Sequence, residues 1–176
     1  MSLEDQLLKA SLLCELKPGG ASAHRFQLFF VTNNDIGSRS HQSDLQRALE
    51  TGVNTKKYWE NWPNRWSGSY RITAAGYATA VQIFGVLEPR YRPVQKQNVD
   101  FDVTGAVEGV RVLLETRGAQ TRVSLDGVSF RSAKEACRAL QAKTRRKLPT
   151  QGDSAVRVLY NLAIDEGFTM QWCGPK

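Results

Sequence analysis

Between Ser40 and Gly85 the chain is punctuated so closely that few arrangements of helix and strand can accommodate it. Ser40-His41-Gln42-Ser43-Asp44-Leu45-Gln46-Arg47-Ala48-Leu49-Glu50-Thr51-Gly52 predicts a short helix that stops at a glycine, the residue that leaves a helix at least steric cost. Val53 to Pro63 predicts a second helix, opened by Asn54 and stopped by Pro63, which cannot continue the hydrogen-bond ladder. Ala48 supplies a small residue where the two helices would cross. Tyr70 to Ile72 then reads as a strand. Thr73 reads as the N-cap of a further buried helix, with Ile72 and Tyr77 as a hydrophobic staple across that cap. Tyr77, Val81 and Phe84 share a face, and Gly85 ends the helix.

Two short helices joined at a glycine, with a small residue at their crossing, have the spacing of a helix-turn-helix. The string Tyr70-Arg71-Ile72-Thr73-Ala74-Ala75-Gly76-Tyr77 resembles the tyrosine-arginine-aliphatic-threonine-x-x-glycine string that closes the wing in winged-helix regulators. The resemblance covers residues 40–85. It implies a winged-helix domain that binds double-stranded DNA, with the Asn54–Trp62 helix in the major groove. Some winged helices serve instead as protein docks or spacers.

The flanking segments fill out an α+β chain: a winged helix-turn-helix domain over residues 1–88, a linker over 89–98 and a small α+β module over 99–176. Ser2 and Asp5 make a capping box, and Leu3, Leu7, Ala10 and Cys14 share a helical face up to the Pro18-Gly19-Gly20 stop. Phe26, Leu28 and Phe30 alternate as in a strand, and Thr32 to Ser38 reads as turn. Pro89, Pro93, Arg90, Arg92 and Lys96 give the linker its character. Beyond it, Val110-Val112-Leu114, Val123-Leu125 and Val128-Phe130 read as strands, with Asp126-Gly127 as a tight turn. Ser132 to Glu135 is a second capping box. A last helix starts at Asp153 or Ser154 and ends at Gly167, followed by a closing strand from Phe168 to Trp172. The stretch Ser124 to Ala136, with Trp172 downstream, resembles small modules appended to restriction enzymes, homing endonucleases and adenine methylases. That likeness implies a DNA-targeting role within a restriction-modification system.

Charge narrows the partner. The formal net charge is +7, which favours a polyanion, because Lys and Arg neutralising phosphates supply most non-specific nucleic-acid affinity. No apolar run reaches the length of a membrane span, and the N-terminus lacks the basic and apolar regions of a signal peptide. A cytoplasmic protein is expected, or a nuclear one in a eukaryote. Cys14, Cys137 and Cys173 are too far apart for zinc-ligand or redox spacing and read as small buried hydrophobes.

No catalytic constellation emerges, so the expectation is a protein that is not an enzyme and carries no cofactor or metal. His24 and His41 have no ligand partner at useful spacing. Asp100, Asp102 and Glu115 supply carboxylates, but Glu115-Thr116-Arg117 has an arginine where a metal-dependent nuclease wants a lysine. Binding chemistry is better represented. Asn54, Thr55, Lys56 and Lys57 would open the recognition helix, where Asn and Lys suit purine edges. Trp59, Trp62 and Trp66 crowd together near Tyr58 and Tyr70, and such rings either stack on bases or pack the helix against the wing. Asn61 falls within the recognition helix, while Asn64, Arg65, Ser67, Gly68 and Arg71 surround the wing and suit phosphates or the minor groove. Lys143, Arg145, Arg146 and Lys147 form the densest basic cluster; such cations bind phosphate or simply complement a helix C-terminus.

The function expected from these features is non-catalytic binding of duplex DNA, as a targeting domain of, or beside, a nuclease, with base methylation as a feature it could read. Two other classes remain: a transcription regulator, acting as a homodimer, whose C-terminal module binds an effector or partner, and a winged-helix protein–protein adaptor.

Overall fold

Ser2 Oγ accepts the Asp5 N–H at 3.1 Å, and the Asp5 carboxylate accepts the Ser2 N–H at 3.2 Å, so the first helix, α1 (Leu3–Leu13), begins at its predicted capping box. The computed structural model describes residues 1–36, 39–93, 100–118, 120–149 and 154–173. They fall into two compact units, Met1–Gln95 and Lys96–Pro175, of mixed helix and strand, with antiparallel pairing in both sheets.

In the first unit α1 is followed by β1 (Ala23–His24) and α2 (Arg25–Asp35). Phe26 to Phe30, predicted as a strand, lie within α2, as do Thr32 to Asp35 of the predicted turn. Gln27 to Thr32 are all buried. A helix covered on every side has no polar face, so its 3.6-residue period is invisible and the Phe-Leu-Phe alternation misleads. Gly37 and Ser38 lie outside the described residues. α3 (Gln42–Thr51) is the helix predicted to stop at Gly52, with Leu45, Ala48 and Leu49 buried.

The second helix expected over Asn54–Trp62 is absent. Gly52–Lys56 forms one wide π-helical turn, and Lys57, at φ 59°, breaks it in the left-handed region. The chain then enters β2 (Trp59–Asn61), because Trp59 is a core residue. Its indole packs on Gly52 so closely that a Cβ there would stand 2.3 Å from the ring, and its Nε1–H donates to Ser11 Oγ at 3.0 Å. β2 pairs with β3 (Ser69–Ile72), whose other edge pairs with β1, giving the order β1-β3-β2. Thr73 caps α4 (Ala74–Phe84) as predicted, its Oγ1 accepting the Gly76 N–H at 3.1 Å. α4 is not the buried helix expected: Gly76 and Ala80 are buried, Tyr77, Val81 and Phe84 are half-buried, and Ile83 is exposed.

Part of the expected linker is strapped to this unit. The Arg90 and Tyr91 N–H groups both donate to Leu13 O at 2.9 Å, buried Gln27 donates to Arg92 O at 2.7 Å, and Tyr91 OH bonds Asp35 at 2.6 Å. Burial and the Asp35 carboxylate push the Tyr91 phenol up. Residues 94–99 lie outside the described set.

The second unit is a five-stranded sheet of β4 (Asp100–Val107), β5 (Val110–Arg117), β6 (Gln120–Leu125), β7 (Val128–Ser129) and β8 (Thr169–Trp172), in the order β7-β6-β5-β4-β8. Val103, Val107, Val112, Leu114, Val123 and Leu125 are buried, as are Ala136, Cys137 and Leu140 of α5 (Ala133–Lys143) and Val158, Leu159 and Ala163 of α6 (Ala155–Asp165). Ser132 and Ser154 cap the two helices. Cys14 and Cys137 are buried as expected, but Cys173 is exposed.

Candidate nucleic-acid interface

The connection from β2 to β3, residues 62–68, is held in shape by its own hydrogen bonds. The Trp62 N–H donates to Ser69 O at 3.0 Å, and the Trp66 N–H to Asn64 Oδ1 at 2.9 Å. Ser67 Oγ shares its proton between Trp62 O at 2.8 Å and Asn64 O at 2.9 Å. This loop presents two large apolar side chains to solvent: Trp66 is 83% exposed and Trp62 43%. Each is paired with a cation. The Arg71 guanidinium lies 3.9 Å from the Trp62 ring centre and bonds Glu60 at 3.0 Å; the Arg65 guanidinium lies 5.0 Å from the Trp66 ring centre.

The loop is tied to the helices beside it. The Arg25 N–H donates to Gly68 O at 3.0 Å, while its guanidinium donates to Gln46 Oε1 on α3 at 3.3 Å. Gly68 sits at φ +68°, and a Cβ there would stand 2.9 Å from His24 Nε2. His24 in turn caps α2, its Nδ1 accepting the Phe26 N–H at 3.3 Å. The loop, the start of α2 and the middle of α3 therefore form one surface. Sequence reasoning weighed His24 only as a metal ligand and passed over Arg25 and Gln46. The available signal was His24 as a capping residue, which the strand reading of Phe26–Phe30 concealed.

The residues expected at the interface are divided by the structure. Asn64, Arg65 and Trp66 are exposed on the loop, with Trp62 and Arg71 at its base; Asn61 is half-buried opposite Tyr70 in the strand register. Asn54, Thr55, Lys56 and Lys57 are exposed but lie at the other end of the hairpin, where Lys57 O and Tyr58 O accept Thr73 Oγ1 at the start of α4. The strand between Tyr58 and Trp62 separates the ends by about 13 Å. Trp59, 1% exposed, belongs to the core.

In the second unit the basic cluster is partly neutralised. Lys143 pairs with Asp126 at 3.8 Å and Arg146 with Glu166; the Arg145 backbone N–H donates to Glu108 at 2.8 Å, which does not engage its guanidinium, and Arg145 and Lys147 are exposed. Lys134 and Arg138 are exposed one turn apart on α5, with Arg131 just before it. Asp102 and Glu115 are cross-strand neighbours that share Arg117, at 2.9 and 3.9 Å. Among the described residues, no group of His, Cys, Asp and Glu is placed to hold a metal, and no helix is long and apolar enough to cross a membrane.

Set against known proteins, the chain matches no protein-family model, no curated protein and no solved structure.

Proposed function

We propose that Met1–Gln95 is a winged helix that binds duplex DNA without catalysis. The order α1, β1, α2, α3, β2, β3 with the sheet order β1-β3-β2 supports this reading. It moves the helix-turn-helix back by one helix, to α2 and α3, and makes residues 62–68 the wing. The observation that carries it is the self-bonded loop bearing Arg65, Trp66 and the Trp62–Arg71 stack. Exposed arginine and tryptophan on one rigid hairpin combine phosphate attraction with a surface for bases.

The second unit extends the contact through the exposed Lys134, Arg138 and Lys147. Its turn at Asp126-Gly127 and the Ser132 cap that opens α5 support the likeness to restriction-associated modules and a role in targeting. Modified bases are read, on this proposal, by Trp62 or Trp66, since Trp59 is in the core. A docking role has its own support in the exposed Ile83 and Val86 at the end of α4.

A binding selection on randomised duplexes, in methylated and unmethylated pools, tests the proposal. Enrichment that weakens steeply with salt supports it; salt-insensitive binding, or none, refutes it. Burying one methyl against a ring contributes about 0.8 kcal/mol, so a methyl-dependent preference of roughly fourfold per contact is expected.

A further inference from the structure

The elements flanking the wing differ in chemistry. The outer face of α3 carries Ser43, Asp44, Arg47 and Glu50, and Arg47 bonds Asp44 at 3.4 Å. Two acids and one engaged arginine repel phosphates rather than neutralise them, so α3 is a poor element to bury between two sugar-phosphate strands. The wing has the opposite character. Arg65 brings a cation, Arg71 is paired with Glu60 and stacks on Trp62, and Trp66 offers an indole that is 83% exposed on a loop fixed by its own bonds. An indole has no donor-acceptor pattern to match a base edge beyond one N–H, but its face stacks on any base. The minor groove of an intact duplex, about 6 Å wide, does not offer a base face to it.

We infer, building on the DNA-binding reading above, that the wing is a stacking platform for an unstacked base. Trp66 covers the base face, Trp62 held by Arg71 forms the base of the platform, and Arg65 meets the adjacent phosphate. The preferred ligand is DNA in which one base is already free of its stack: a bulge, a strand junction or a gap. Intact unmodified duplex, with no base free to stack, is bound chiefly through phosphates. In duplex DNA the protein must first unstack a base, at a cost of a few kcal/mol, which a pre-formed bulge avoids.

The test uses the full chain and three synthetic DNAs: an intact duplex, the same duplex with a one-base bulge, and the bulged duplex with an abasic site at the bulge. Fluorescence anisotropy gives affinities, and tryptophan quenching reports stacking. The bulge should bind about tenfold or more tighter than the intact duplex, with tryptophan emission quenched, and the abasic bulge should lose that gain. Trp66→Ala should weaken bulge binding by about fivefold to a hundredfold, the worth of one stacked base, and weaken the intact duplex far less. Trp66→Phe, which keeps an aromatic face, should restore much of the loss. Equal binding of bulge and duplex, or a Trp66→Ala effect equal on all three DNAs, overturns the stacking platform while leaving DNA binding in place. Failure to bind any of the three overturns the DNA-binding reading itself and this inference with it.

Discussion

Gly76 in α4 lies so close to Tyr58 that a Cβ on it would stand 2.2 Å from the Tyr58 carbonyl oxygen. That oxygen also accepts the Thr73 N–H at 3.0 Å, so neither partner can move without breaking the junction of β2, β3 and α4. The glycine of the Tyr-Arg-Ile-Thr-Ala-Ala-Gly string is thus a packing requirement. Gly76→Ala, ordinarily a gain in a helix, should destabilise the protein by about 1–3 kcal/mol, the usual cost of overpacking. Denaturant midpoints of the variant and wild type measure it; an unchanged or raised midpoint would show that α4 is free to shift.

The tryptophans divide into core and surface. Trp59 is buried and bonded to Ser11, whereas Trp66 is 83% exposed. Trp59→Ala should cost about 3–5 kcal/mol, and Trp66→Ala about 0.5 kcal/mol or less. Urea titrations of both variants decide it. A Trp59 variant as stable as wild type would return that ring to the list of surface candidates.

Capping residues and turn glycines were legible in the sequence because their signals are local. Ser2 with Asp5, Thr73, Ser132 and Ser154 all sit at the helix starts assigned to them. The segment from Val53 to Trp62 was misread because its decisive interaction is distant: Trp59 is fixed by Ser11 and Gly52 across the core, and that pull outweighs local helix signals. α2 failed for the opposite reason, since complete burial erased the period that marks a helix. Trp62, Asn64, Arg65, Trp66 and Arg71, neighbours in sequence, do lie together on or beside the loop of residues 62–68. Lys56 and Lys57 were assigned to the start of a recognition helix, and the turn into β2 instead leaves them at the far end of the hairpin from that loop.

Cys14 links stability to alkaline pH. Its thiol is buried, and burial with the nearby Asp35 charge pushes its pKa well above the ordinary value of about 8.5. A folded-state pKa raised above the unfolded one leaves stability intact below about 8.5, and stability falls as pH rises beyond it, because the unfolded chain loses the proton first. Denaturant midpoints of reduced protein should therefore fall from about pH 8.5 upward. Cys14→Ala should show a shallower fall, the remainder coming from other groups whose pKa the fold raises, among them Cys137 and, above about pH 10, Tyr91. Parallel pH profiles would remove Cys14 from this account.

The division of cations between the two ends of the hairpin makes a prediction about salt. Arg65 stands on the loop of residues 62–68 beside Trp66, while Lys56 and Lys57 stand at the far end, next to the start of α4. Each phosphate neutralised contributes about −0.9 to the slope of log affinity against log salt, so about five contacts give a slope near −4.5 on intact duplex. Arg65→Ala should reduce the magnitude of that slope by about 0.9 and weaken binding at low salt. The double variant Lys56→Ala, Lys57→Ala should keep most of the slope and affinity, because those lysines stand at the opposite end of the hairpin from Arg65. Both substitutions are at exposed positions, so stability should move by about 0.5 kcal/mol or less and folding does not confuse the comparison. Affinity measured from low to moderate salt on one duplex separates the cases. If the lysine variant loses the slope and Arg65→Ala keeps it, DNA approaches the α4 end of the hairpin, and the wing is turned away from it.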